Sequence, residues 1–146
     1  MAEQTIMIFA NGDLQNPKAI KRMAPLAGTI IAVDGGLAHI QALGLTPHLL
    51  IGDLDSVSVE QVRWAEEHGA EVRRFPMEKD ETDLELALIA AAETRPRRIL
   101  VVAALGGRLD QTLSNIFLLN LPVLANLDVR IDDGQQEVIL VRDSTE

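Results

Sequence analysis

The strongest constraint on this chain is a rhythm. Short apolar runs recur at residues 5–10, 29–33, 49–51, 72–75 and 98–103, and each is followed by a stretch with helical punctuation. Strands that alternate with helices pair in parallel, because each helix carries the chain back across a face of the sheet before the next strand begins. The expected fold is α/β, a Rossmann-like three-layer domain with a mostly parallel sheet, occupying residues 1–142.

The helix signals agree. Asn16 stands as an N-cap before Pro17 at the first helical position, and a second helix runs from Leu37 to a stop at Gly44. Ser58 caps a third that turns Val62 and Ala65 inward and ends at Gly69, with Trp64 along its edge. A fourth opens with the capping box Thr82-x-x-Glu85, lays Leu84, Ala87, Leu88 and Ala91 on one face and stops at Pro96. The fifth, residues 109–121, is expected to bury Leu113, Ile116 and Phe117. Beyond it, runs at 129–131 and 137–141 flank the turn signal Asp133-Gly134, which makes a hairpin or starts a new sheet.

Composition bounds what such a domain can do. With 146 residues and 47% hydrophobic content, one core suffices and no staple is needed. There is no cysteine, so disulfides, thiolate nucleophiles and Cys-based zinc sites are excluded, and His39, His48 and His68 lack metal-ligand spacing and read as surface or helix-end residues. The 13 basic and 22 acidic residues give a net charge of −9, with the basic residues scattered, which argues against nucleic acid as a partner. The first apolar run, residues 6–10, has no cationic segment before it, and no apolar run approaches the ~20 residues of a membrane span. The expectation is a cytoplasmic protein without a membrane partner.

The chemistry gathers where the strands end. Asn11-Gly12-Asp13, Asp34-Gly35-Gly36, Gly52-Asp53-Leu54-Asp55-Ser56, Lys79-Asp80-Glu81-Thr82-Asp83 and Gly106-Gly107-Arg108-Leu109-Asp110 all follow strands, at the edge where open α/β sheets bind ligands. Gly and Asp dominate βα turns for local reasons, and turn chemistry alone accounts for about half of these. Six aspartates on one edge (34, 53, 55, 80, 83 and 110) would repel one another unless a cation compensates. A hard divalent ion such as Mg²⁺, shared between carboxylates and substrate phosphates, lets an acidic protein take an anionic nucleotide. Asp53-x-Asp55, with Asp83, is the expected metal set. Gly35-Gly36 and Gly106-Gly107 stand at helix entrances, where bare backbone can approach phosphate or simply turn tightly. Lys79 and Arg108 are the cations embedded in these loops.

Taken together, these motifs, with Leu84-Glu85-Leu86-Ala87-Leu88 and Gln111, resemble in order and spacing the catalytic domain of thiamine pyrophosphokinase, over residues 6–142. The resemblance implies transfer of a diphosphoryl group from ATP to the hydroxyl of thiamine with Mg²⁺, giving thiamine diphosphate and AMP, in a homodimer. On that pattern Asp53, Asp55 and Asp83 hold the metal and, with Arg108 and Asp110, form the catalytic group. Asn11, Gly12, Asp34, Gly35, Gly36, Ser56, Lys79, Thr82, Gly106, Gly107 and Gln111 surround the nucleotide or the accepting hydroxyl. Two departures are local: Ala103-Ala104 replaces a frequent glycine, and Gln111 a frequent histidine. The larger one is length, since the family continues into a β-rich thiamine-binding domain and residues 143–146 would be its start. A chain without that domain is expected to bind Mg·ATP and transfer little. The alternatives are a non-catalytic nucleotide-binding module, a related pyrophosphokinase of a pterin alcohol, and a phosphatase using Asp53 as nucleophile.

Overall fold

Strand β1 (Thr5–Phe9) is apolar at every position after Thr5, as a strand covered on both faces must be. Its alternation divides the core: Ile6 and Ile8 point into one apolar cluster, Met7 and Phe9 into the other. The computed structural model describes residues 4–141, so the stretch 143–146, read above as the start of a further domain, lies outside the described residues.

Around β1 stand β2 (Thr29–Val33), β3 (Leu49–Gly52), β4 (Glu71–Arg74), β5 (Arg98–Val102), β6 (Asp128–Asp132) and β7 (Glu137–Val138). The sheet order is β4-β3-β2-β1-β5-β6-β7, parallel except for the antiparallel β6–β7 pair. The hairpin reading of Asp133-Gly134 therefore holds, although β7 is shorter than the run that suggested it. Edge strand β4 carries Glu71, Arg73 and Arg74, charges that discourage pairing with another chain.

One layer of helices consists of α1 (Pro17–Met23), α2 (Leu37–Ala42) and α3 (Val59–Glu67), whose Ile20, Leu37, Ile40 and Ala65 enter the cluster around Met7 and Phe9. On the other face α4 (Asp83–Glu93) inserts Leu84, Ala87, Leu88 and Ala91 beside Ile6 and Ile8. The caps read from the sequence are present. Asn16 accepts from the Ala19 N–H at 3.2 Å, and Ser58 and Gln61 form a reciprocal capping box. At α4 the Thr82 hydroxyl accepts from the Glu85 N–H at 3.1 Å, the one half of the expected box recorded there.

Helix α5 (Leu109–Phe117) corrects the sequence reading. It gives way to a 3₁₀ turn at Leu118–Asn120, and Leu113 and Phe117, expected inside, are 43% and 71% exposed. Asn115 is the reason. Its side chain is buried and donates from Nδ2 to the Ala104 carbonyl at 3.0 Å, which fixes Asn115 inward, while Ile116, also expected inside, is half-buried against the core. Residues two positions away lie about 200° around a helix, so Leu113 and Phe117 are turned out. Leu118 and Leu119 then supply the burial from the 3₁₀ turn.

Leu88 is 1% exposed at the centre of this second layer. Leu88→Ala is expected to cost about 2–5 kcal/mol of unfolding free energy, read by urea denaturation, without moving the strand-end loops.

Candidate functional site

Because β2 and β3 run parallel in register, with Val33 opposite Ile51, their carboxyl ends come out side by side. Asp34 follows the first and Asp53 the second. Asp83 opens α4, which packs across these two strands, so the capped first turn of that helix delivers a third carboxylate to the same point. One oxygen from each of Asp34, Asp53 and Asp83 lies within 4.8 Å of the other two.

The backbone is bent to allow this. Asp34 has φ +49° and Leu54 φ +66°, conformations that L side chains adopt at a cost. Gly52, at φ +142°, has Asp83 Oδ2 3.1 Å and the Asp34 Cβ 3.3 Å from where its own Cβ would stand, so a side chain there would wedge the cluster apart. Leu54 is buried in the core, and its left-handed turn sends Asp55 away from Asp53. Asp55 is exposed and outside the trio; its N–H donates to Asp53 Oδ1 at 3.0 Å, closing an Asx turn.

The trio is electrostatically unsatisfied. Asp34 is 8% exposed, and its Oδ1 has no hydrogen-bond partner. Burial, then the charges of Asp53 and Asp83, push its carboxyl above the ordinary value, against hydrogen bonds from the backbone and side chain of Ser56. Asp83 has the Lys79 ammonium 2.7 Å from Oδ1, but the directed hydrogen bond of that ammonium goes to the Pro76 carbonyl at 2.9 Å. Asp83 Oδ1 therefore has a countercharge beside it and no hydrogen bond.

Next to the trio a cavity of about 390 Å³ opens between the ends of β1 and β5. These two neighbours are where the chain, having laid down β2, β3 and β4 on one side, crosses to the other, and such reversals leave a crevice outside the strand ends. Asn11, Gly12, Asp34, Thr82, Asp83, Gly106, Gly107, Arg108 and Gln111 of the expected set line it. Gly35, Gly36, Asp53, Asp55, Ser56, Lys79 and Asp110 do not. A Cβ on Gly12 would strike the Ala103 carbonyl, which accepts from the Gly12 N–H at 2.8 Å, so glycine lets the β1 and β5 loops close on each other. Gly35 and Gly36 serve contact of the same kind, against the Asn11 side chain and the Phe9 carbonyl, rather than an open helix entrance. Gly106 and Gly107 turn at φ +85° and +70°. Arg108 is paired in fork geometry with Asp110 at 2.6 and 3.1 Å, which lowers the Asp110 pKa. Both partners are exposed, so water screens the pair and an incoming anion can exchange for the carboxylate.

Three lining or supporting residues were missed in the sequence. Asp13 stood in a quoted motif without a role. Asn115 links Ala104 to Gln111, whose Nε2 donates to Asn115 Oδ1 at 3.1 Å; the signal was an amide four residues after Gln111, on the same face of the helix. His39, read as a surface residue, places Nε2 2.7 Å from the Gly12 carbonyl. His68 has a local partner, the Trp64 carbonyl four residues earlier, whereas His48 accepts at Nδ1 from the Ile30 N–H, 18 residues away at the start of β2.

The sequence profile for "Thiamin pyrophosphokinase, catalytic domain" matches residues 20–131. The thiamine pyrophosphokinase of Bacillus subtilis (strain 168) is 36% identical over 108 residues, which cover 74% of this chain and 50% of that protein. Among solved structures, a thiamin pyrophosphokinase family protein from Enterococcus faecalis is similar with a TM-score of 0.74 at 27% identity, covering 92% of this chain and 63% of that one. The Bacillus subtilis enzyme gives 0.71 at 32%, covering 88% and 60%. The chain thus spans about half the length of the curated relative it matches.

An acid whose pKa is raised by folding holds its proton more tightly in the folded state, so stability falls as pH rises from near 3.8 through the raised value. Asp34→Asn removes that penalty, and asparagine tolerates the left-handed backbone. Without divalent ions at pH 7 the variant is expected to melt higher than the parent, with the difference shrinking as pH is lowered. A lower melting point at pH 7 would mean that the Asp34 carboxylate is stabilising.

Proposed function

Because this chain belongs to the thiamin pyrophosphokinase catalytic-domain family, we propose that it binds Mg·ATP and carries the nucleotide side of a diphosphoryl transfer to the hydroxyl of thiamine. In that reaction the hydroxyl oxygen bonds to the β-phosphorus, the bond from that phosphorus to the α,β-bridging oxygen breaks, AMP leaves and the hydroxyl gives up its proton. The observation that supports this best is the trio Asp34, Asp53 and Asp83 beside a cavity at the β1–β5 reversal. A strand order that reverses in this way also supports the Rossmann-like description.

The donor set suits Mg²⁺: oxygen ligands only, mutually repelling, one of them buried and unpartnered. Asp53 and Asp83 keep the role expected of them, Asp34 joins them, and Asp55 stays at the rim as an outer carboxylate. When bound, the ion would neutralise charge on the phosphate oxygens and hold them to the protein. Asn11, Thr82 and the Gly106-Gly107 loop line the nucleotide crevice, Gly35 and Gly36 let Asn11 and Phe9 pack close beside it, and Ser56 bonds to Asp34. Lys79, released from Asp83, and Arg108, released from Asp110, meet charge that develops on the transferring group. Gln111 borders the acceptor side. The homodimer and the cytoplasmic setting belong to the same reading; no described helix is long and apolar enough to cross a membrane.

A second reading has its own support. The cavity is lined mainly by carboxylates, amides and small residues, with no aromatic wall among the described residues for the flat rings of thiamine, so nucleotide binding without efficient transfer is the alternative. Incubating the chain with Mg·ATP and thiamine separates the possibilities. Mg²⁺-dependent ATP binding with AMP and thiamine diphosphate formed slowly in equal amounts is the expected outcome. Binding with no AMP from any alcohol would make it a nucleotide-binding module, and preference for a pterin alcohol would change the acceptor. A phosphoaspartate trapped at Asp53 would make it a phosphatase. Arg108→Ala is expected to lower kcat by about 10²-fold or more while KM for ATP changes little; the reverse pattern would make Arg108 a ground-state binder.

A further inference from the structure

The loop after β1 is held by a residue far from it in sequence. His39, on α2, places Nε2 2.7 Å from the carbonyl oxygen of Gly12, 27 residues earlier. A carbonyl only accepts, so the histidine donates from Nε2. The same glycine donates its N–H to Ala103 at 2.8 Å. Gly12 is thereby fastened on both sides, to α2 through its carbonyl and to the end of β5 through its nitrogen.

The consequence lies one atom further on. No peptide bond among the described residues is cis, and in a planar trans peptide the carbonyl and the following N–H point in opposite directions. Anchoring the Gly12 carbonyl to His39 turns the Asp13 N–H away from α2. That N–H has no hydrogen-bond partner among the described residues, and Asp13 lines the cavity beside the acidic trio. An unused backbone donor on a residue of that wall suits a phosphate oxygen.

We propose that His39 is a positioning residue: it locks the Gly12–Asp13 peptide so that the Asp13 N–H faces the phosphates of a bound nucleotide. This rests on the nucleotide reading given above. His39 itself touches neither nucleotide nor metal, and its contribution passes through one peptide group.

The chemistry of the contact supplies its own control. Glutamine can place an N–H where Nε2 stands, whereas asparagine reaches only as far as Nδ1, and alanine supplies nothing. Binding of Mg·ATP and of Mg·pyrophosphate is measured by calorimetry on the whole chain, with melting temperatures recorded for each variant. His39→Ala and His39→Asn are expected to weaken both ligands by roughly 3–10-fold, the scale of one hydrogen bond. His39→Gln is expected to bind within about twofold of the parent, and adenosine, which has no phosphate, to bind all four proteins alike. If His39→Gln loses as much as His39→Ala, or if all three variants match the parent, the inference is overturned while the nucleotide reading stands. A parent that binds neither Mg·ATP nor Mg·pyrophosphate would overturn both.

Discussion

Three carboxylates held at adjacent element ends repel each other, and this chain accepts that repulsion as a consequence of its sheet. Parallel register fixes Asp34 beside Asp53, and the Thr82 cap fixes the first turn of α4 so that Asp83 completes the group. None of the three can withdraw without disturbing a strand or a helix start. Left-handed backbone at Asp34 and Leu54, and a glycine at position 52 with no room for a side chain, are the local costs of the arrangement. The Lys79 ammonium answers part of the charge, and the buried Asp34 Oδ1 remains unanswered.

The same edge of the sheet carries a second constraint, the contact between the loops after β1 and β5. Gly12 meets the Ala103 carbonyl, and Ala103 itself sits at φ +59°, a conformation that costs less for glycine than for alanine. His39 and Asn115 fasten the two loops from opposite sides, one through the Gly12 carbonyl and the other through that of Ala104. Two backbone carbonyls of the cavity wall, those of Gly12 and Ala104, are therefore already engaged. Such a wall can receive an anion even though the chain carries a net charge of −9.

What the sequence disclosed follows from the range of the forces involved. Strand and helix positions depend on burial and on caps a few residues away, so the alternation of apolar runs, Asn16, Ser58 and Thr82 were legible. Asp53 and Asp83 were legible because strand ends converge in any parallel sheet. Three things were not. Asp55 was grouped with Asp53 because two carboxylates in a loop leaving a strand can turn to one ion, but the left-handed turn at the buried Leu54 leaves Asp55 outside the trio. The face of α5 was misjudged in part: apolar spacing favoured Leu113 and Phe117, which are exposed, whereas Ile116 packs against the core beside a buried amide, Asn115. His39 acts through a carbonyl 27 positions earlier, and nothing in its own surroundings reports that contact.

On the proposed reading, a divalent cation resolves the repulsion and makes the crevice a site for a polyphosphate. Mn²⁺, which accepts similar oxygen ligands and scatters anomalously, can locate that ion directly in crystals grown with a non-hydrolysable ATP analogue. The account predicts an anomalous peak bounded by the carboxylates of Asp34, Asp53 and Asp83 and shared with phosphate oxygens in the β1–β5 crevice. A peak elsewhere, or nucleotide bound in the crevice with no ion at the trio, would contradict it.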